Sequence, residues 1–241
     1  MNLAFSLVTG ALHLLTGILC RVHGDQLSRV PAEGPLILVS NHINFLEVPL
    51  IYPRLRPRPV TGFSKSESWD SPALGMLMDL WGIIPLHRGE ADVGAMRTGL
   101  AALEAGKILV VTPEGTRTGD GRLRPAHPGA AWLALKSGAP LLPLAFYGGE
   151  HFWTRLRRLG RTEFHIMVGE PFCLATTNSS RADRRTRQAI ADAIMARVAV
   201  LLPEHYHGVY AGRLPALLDS PHLRPCPSGE PVRFYPSSKP R

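Results

Sequence analysis

The sequence predicts an α/β fold: a single domain with a mostly parallel or mixed sheet flanked by helices, preceded by a membrane-seeking N-terminal helix. Three observations carry this. From residue 35 onward short apolar runs alternate with helix-period patterns, the signature of strand-helix-strand units. A chain of 241 residues supports one sizeable core with extra segments at its ends, and not two full domains. Hydrophobic residues make up 45% and charged residues 19%, which excludes a disordered chain.

Taken in order, "MNLAFSLVTGALHLLTGILC" (1–20) carries no charged side chain. Ser6, Thr9, Gly10, His13, Thr16 and Gly17 recur at spacings of three and four, so they line one face of a greasy rod. About 20 such residues can cross a bilayer core or lie in its interface. A secretory signal would need a basic start that "MNLAF" lacks. Strands are expected at "PLILVS" (35–40), "PVTGFS" (59–64), "IIPLHR" (83–88), "KILVVT" (107–112), "PLLPLAFYG" (140–148) and "EFHIMVG" (163–169). Helices are expected at 71–82, 92–106 and 128–138, each closed by a glycine. A long amphipathic helix over 181–202 puts Ile190, Ile194, Val198 and Leu201 on one stripe. The resulting division is an anchoring helix over 1–24, the α/β domain over 25–210, and a proline-rich, loosely ordered tail over 211–241.

A formal net charge of +8, with arginines clustered in "RLRRLGR" (155–161) and "RADRRTR" (181–187), draws the chain toward a polyanion, either nucleic acid or an anionic lipid surface. No aromatic residues interleave with these arginines in a nucleic-acid motif. Three widely spaced cysteines indicate neither a disulfide framework nor a paired-cysteine zinc site, so a reducing compartment is expected. "EHYHG" (204–208) offers two histidines and an acid, but no third cluster stands near to complete a metal site. The G-x-S-x-G elbow, the G-x-x-x-x-G-K-[ST] phosphate loop, G-x-G-x-x-G and H-E-x-x-H are all absent from the sequence.

Two apolar runs end in dense polar clusters: "SNH" after "PLILV", and "PEGTRTGDGRLR" after "KILVVT". Ligands of open α/β sheets bind beyond the carboxyl ends of strands, which makes both clusters candidate sites. Pro49 places the next helix start near 46–48, because proline is tolerated in a first turn and not beyond it. Glu47 then sits at a helix N-terminus, where its charge is favoured, and a five-residue step folds it back onto His42. A carboxylate there would fix the imidazole tautomer and stabilise the imidazolium. On spacing alone, Glu47 could instead cap its own helix in a box with Asn44. In the second cluster the amides of Gly115 and Thr116, the Thr116 hydroxyl and the Arg117 guanidinium form an anion site, with Arg122 and Arg124 close behind. Lys65 and Arg88 end two further strands.

These clusters resemble, in order over about residues 35–170, the glycerophospholipid acyltransferase family, whose best-known members are lysophosphatidate acyltransferases. The family's N-H-x4-D block reads "NHINFLE" here, with Glu47 for the aspartate and Asn44 where many members carry serine. Its glycine-strand-arginine block reads "GIIPLHRG", preceded by "FSKSE"; its F-P-E-G-T-R-S block reads "TPEGTRT"; its spaced-proline stretch reads "APLLPLAFYG". The resemblance implies acyl transfer from acyl-CoA or acyl-ACP to a lysophospholipid hydroxyl, by default that of lysophosphatidate. His42 acts as general base oriented by Glu47, with no cofactor beyond the acyl co-substrate and no metal. By the same resemblance Asn41, Glu114, Gly115, Thr116 and Arg117 bind the acceptor, Arg88 helps, and Lys65 stabilises the oxyanion. Partners are then membrane lipids, the acceptor and the acyl carrier, not nucleic acid, at the cytoplasmic face of a membrane. A noncatalytic lipid-binding or scaffold protein that keeps this fold is the alternative.

Overall fold

The computed structural model describes residues 3–87, 92–175 and 182–226. The strands are β1 (Cys20–His23), β2 (Leu36–Ser40), β3 (Val60–Lys65), β4 (Ile84–Leu86), β5 (Ile108–Val111), β6 (Leu141–Tyr147), β7 (Thr162–Val168), β8 (Phe172–Leu174) and β9 (Leu223–Pro225). They form one mixed sheet in the order β1-β7-β6-β2-β5-β3-β4, with β8 joined to β6 and β9 to β8. β2 runs parallel to both β5 and β6, and β3 runs parallel to β5 and β4. The direction reverses at the margins: β6 pairs antiparallel with β7 and β8, and β8 with β9, while β1 runs parallel to β7 and so against the central strands.

Successive side chains of the central strands point to opposite faces, and each face has its own helical layer. Leu36, Leu38, Ile108, Leu142 and Leu144 pack with α2 (Glu47–Arg54) and α3 (Pro72–Leu80), under α1 (Leu3–Leu19). Ile37, Val39, Leu109, Val111 and Leu141 pack on the other side with α4 (Val93–Glu104), α5 (Gly129–Ser137) and α7 (Arg184–Ala199). Burial on both faces explains why β2, β5 and β6 read as unbroken apolar runs and not as alternating ones. In α7 the stripe of Ile190, Ile194 and Val198 is fully buried. At the end of α5, Gly138 adopts φ 65°, a left-handed conformation that lets the chain turn straight into β6.

Three features of the sequence reading need correction. The inward face of α1 is Phe5, Thr9, Leu12, Thr16 and Leu19; Gly10 and His13 are exposed. Thr9 accepts a hydrogen bond from the Trp81 indole (3.3 Å), which secures α1 to the end of α3. Residues 211–226, expected to be loose, carry α8 (Leu214–Leu218) and β9. Finally, Cys173 of β8 is disulfide-bonded to Cys226, which removes the ground for expecting a reducing compartment; Cys20 is free and buried. The sequence also gave no sign of β1, β8 or α6 (Phe152–Arg157).

Candidate active site

The parallel order β2-β5-β3 sets three strand ends side by side, and the polar clusters follow from them. His42 lies two residues beyond β2, Glu114 three beyond β5, and Lys65 closes β3 beside Leu86 of β4. The first two loops are stitched together by backbone. The Thr118 N–H donates to the His42 carbonyl (2.8 Å) and the Gly119 N–H to the Ile43 carbonyl (3.0 Å). Glu114, only 2% exposed, accepts from the His42 N–H and the Arg124 N–H, both at 2.9 Å. Burial nonetheless pushes its carboxyl up to about 7, against the pull of those two donors. Asn41 is a second brace. Its side chain donates to the Phe146 carbonyl (2.9 Å) and accepts from the Phe146 N–H (2.8 Å), locking the end of β2 to β6.

His42 and Glu47 meet. Nδ1 lies 2.9 Å from Glu47 Oε2, and the carboxylate is 3% exposed as the first residue of α2. Pro49 falls in the first turn of that helix, as its restricted backbone requires. Glu47 also accepts from the Ile43 N–H (3.1 Å) and the Asn44 N–H (3.0 Å), while Asn44 Oδ1 accepts from the Leu46 N–H (2.8 Å). Of the two roles that spacing left open, the structure fills the first: Glu47 holds the imidazole and gathers the Ile43 and Asn44 amides of the preceding turn, while the helix begins after Leu46 with no side-chain cap. An ionised carboxylate can only accept, so Nδ1 carries the proton and Nε2 carries the lone pair. Nε2 has no hydrogen-bond partner among the described residues.

This dyad opens onto a cavity of about 1070 Å³ that runs between the sheet and α1. Leu12, Leu15 and Leu19 of α1, with Met78, Trp81 and Phe146, give it an apolar interior wide enough for hydrocarbon chains. Of the expected site residues, His42, Glu47, Lys65, Gly115 and Arg117 line it. Asn41, Glu114 and Thr116 do not; the first two spend their polar atoms on the braces described above. Arg88 lies outside the described residues. Two lining residues were missed by sequence reading. His127 packs on the turn at Gly115, where φ is 65° and an added Cβ would lie 2.9 Å from the ring. Arg187 reaches the cavity from the first turns of α7. Among the described residues no three His, Cys, Asp or Glu side chains group as metal ligands.

The charge balance of the cavity is one-sided. Lys65, Arg117 and Arg187 line it without an ion pair among the described residues. Its carboxylates are both engaged: Glu47 as above, and Asp92 by the Ala95 N–H and by the N–H and ring of His87, which hold it at about 2.

Comparison with known proteins places this arrangement. The family model described as Acyltransferase matches residues 20–147. The chloroplastic 1-acyl-sn-glycerol-3-phosphate acyltransferase BAT2 of Brassica napus is 33% identical over 126 residues, 51% of this chain and 36% of that protein. The lyso-ornithine lipid O-acyltransferase of Pseudomonas aeruginosa is 29% identical over 192 residues, 71% of this chain and 73% of that one. The chain thus spans about a third of the first relative's length and about three quarters of the second's. Among solved structures, the 1-acyl-sn-glycerophosphate acyltransferase PlsC from Thermotoga maritima superposes with a TM-score of 0.58 at 20% identity, over 82% of this chain and 81% of that one; it is a likeness of fold.

Proposed function

The chain belongs to the Acyltransferase family, and from that premise we propose that it transfers a fatty acyl group from acyl-CoA or acyl-ACP to the free hydroxyl of a lysophospholipid, with lysophosphatidate as acceptor. The observation that carries the reading is the His42–Glu47 pair at the wall of an apolar cavity that also holds unpaired cations. Nε2 of His42 takes the hydroxyl proton as the oxygen attacks the thioester carbonyl. The tetrahedral oxyanion forms near Lys65, the C–S bond breaks, and the imidazolium returns its proton to the departing thiolate. Glu47 stays ionised throughout and stabilises the imidazolium. No covalent enzyme intermediate is required.

Lysophosphatidate is favoured over lyso-ornithine lipid by charge. An ornithine head group brings an amine as well as a carboxylate, and although the cations could take the carboxylate, no cavity-lining carboxylate among the described residues is free to receive the amine. A phosphate meets the guanidinium and ammonium groups of Arg117, Arg187 and Lys65. The test is product analysis of the purified protein with acyl-CoA or acyl-ACP and each of lysophosphatidate, lyso-ornithine lipid and monoacylglycerol. Phosphatidate should be the main product. Preferential acylation of lyso-ornithine lipid, or no acylated lipid with either donor, would overturn the reading.

The outer face of α1 supports a membrane location. No described helix is long and apolar enough to cross a membrane, and 17 residues span only about 26 Å, short of the ~30 Å hydrocarbon core. Leu3, Leu7, Leu14 and Ile18 are exposed on it, and burying each in lipid contributes about 1.5 to 3 kcal/mol. An interfacial helix fits. Replacing Leu7, Leu14 and Ile18 together by glutamate, which spares the inward stripe, should shift most of the protein from the membrane pellet to the supernatant at unchanged Tm. Retention in the pellet at high salt would place the attachment elsewhere.

A further inference from the structure

We propose that Arg187, the third described arginine of α7, is a ligand of the acceptor's phosphate and helps determine specificity for a phosphorylated acceptor. The inference rests on the acyl-transfer reading above and adds a residue that lies outside all four resembling sequence blocks.

Nothing local accounts for where Arg187 sits. A cation in the first turns of a helix opposes the helix dipole, so its position is not a helix-stabilising one. Asp183, the nearby acid, uses Oδ1 to cap the helix through the Thr186 N–H (2.7 Å); the charges of Arg185 and Arg187 both act on it, but it makes no direct ion pair with Arg187. Arg184 and Arg185 are exposed to solvent, whereas Arg187 is half-buried and lines the cavity that contains His42. A partly desolvated guanidinium with no close ion-pair partner among the described residues can receive an anion that arrives with a substrate. Lys65 and Arg117 line the same cavity from the sheet side, so a phosphate held by Arg187 would be held between the sheet's strand-end loops and α7.

The acceptor is the better source of that phosphate. In lysophosphatidate the phosphate is carried on the carbon next to the one bearing the free hydroxyl, so a hydroxyl at His42 keeps the phosphate within the same chamber. In acyl-CoA and acyl-ACP the whole pantetheine arm separates the thioester from the nearest phosphate.

The experiment compares wild type with Arg187→Gln, Arg187→Lys and the exposed control Arg185→Gln, measuring KM and kcat separately for acceptor and donor. Arg187→Gln should raise the KM for lysophosphatidate about ten- to hundredfold. The donor KM and slow transfer to monoacylglycerol should be unchanged, Arg187→Lys should recover part of the loss, and Arg185→Gln should behave as wild type. An unchanged acceptor KM in folded Arg187→Gln overturns the inference, as does a rise confined to the donor KM or an equal loss with monoacylglycerol. If the glutamine variant does not fold, the lysine variant decides: a wild-type acceptor KM at wild-type kcat would then overturn it. Failure of the underlying reading looks different, because wild type itself would then make no phosphatidate.

Discussion

Glu47→Gln should lower kcat by about 10²-fold or more while leaving the fold in place. The reason lies in the three donors that converge on the carboxylate: the Ile43 and Asn44 N–H groups and His42 Nδ1. A glutamine can keep its oxygen on the two backbone amides, but its amino group then faces Nδ1 and donates to it. The imidazole proton is driven to Nε2, where the lone pair for the acceptor hydroxyl is needed. His42→Ala, which removes the base altogether, should cost about 10² to 10⁴. Glu47→Asp keeps the charge but shortens the reach, in a loop whose amides already fit glutamate; an active enzyme, not superior to wild type, is expected. Steady-state rates with saturating donor, together with the acid limb of the pH profile, check all three. A Glu47→Gln enzyme with the wild-type rate and profile would reduce Glu47 to a residue that holds the Ile43–Asn44 turn together.

Glu114 should make folding stability fall as pH rises. Its carboxyl is raised from an ordinary 4.5 to about 7, so between those values the folded protein holds a proton that the unfolded chain has released. Its contribution is complete below about pH 4.5 and lost by about pH 7, roughly 3 kcal/mol at most. His165 acts in the opposite sense, because burial lowers its pKa and the neutral ring is the folded form as pH drops below 6.5. The difference between wild type and Glu114→Gln isolates the carboxyl. In urea unfolding at pH 5 and pH 8, wild type should lose more stability on going to pH 8 than Glu114→Gln does. Parallel pH dependence in the two proteins would mean that Glu114 is ionised throughout.

The sequence made the centre of the molecule legible and its margins poorly so. Strands β2, β5 and β6 announced themselves because burial on both faces demands continuous apolar runs, and Pro49 set the start of α2 because its ring allows few positions. β1 was hidden: Cys20–His23 follows the apolar rod of α1 directly, is only four residues long, and only pairing with β7, far along the chain, makes it a strand. The Cys173–Cys226 bond spans 53 residues between two short strands that carry no periodic signal, and an odd cysteine count suggests no pairing. Within the site, His42, Glu47, Lys65, Gly115 and Arg117 could be found because each follows or closes a strand. Glu114 was expected at the acceptor only through the resemblance of its block to the family's. The clue to its bracing role was that an acid can gather stray backbone N–H groups. Arg187 had a clue too, as a cation placed where a helix prefers acids.

The seam through Glu114 makes the loop of the base and the turn of Arg117 a single mutational unit. A shift in one loop is transmitted to the other through the Glu114 carboxylate and the Thr118 and Gly119 amides, so the cost of a substitution in either depends on the residues present in the other. An aspartate at position 47 is therefore judged by this chain's own 113–119 turn. Pairs of changes across the seam will depart from the sum of their separate effects, and a path of single steps from Glu47 to aspartate is open or closed according to what the opposite loop already holds.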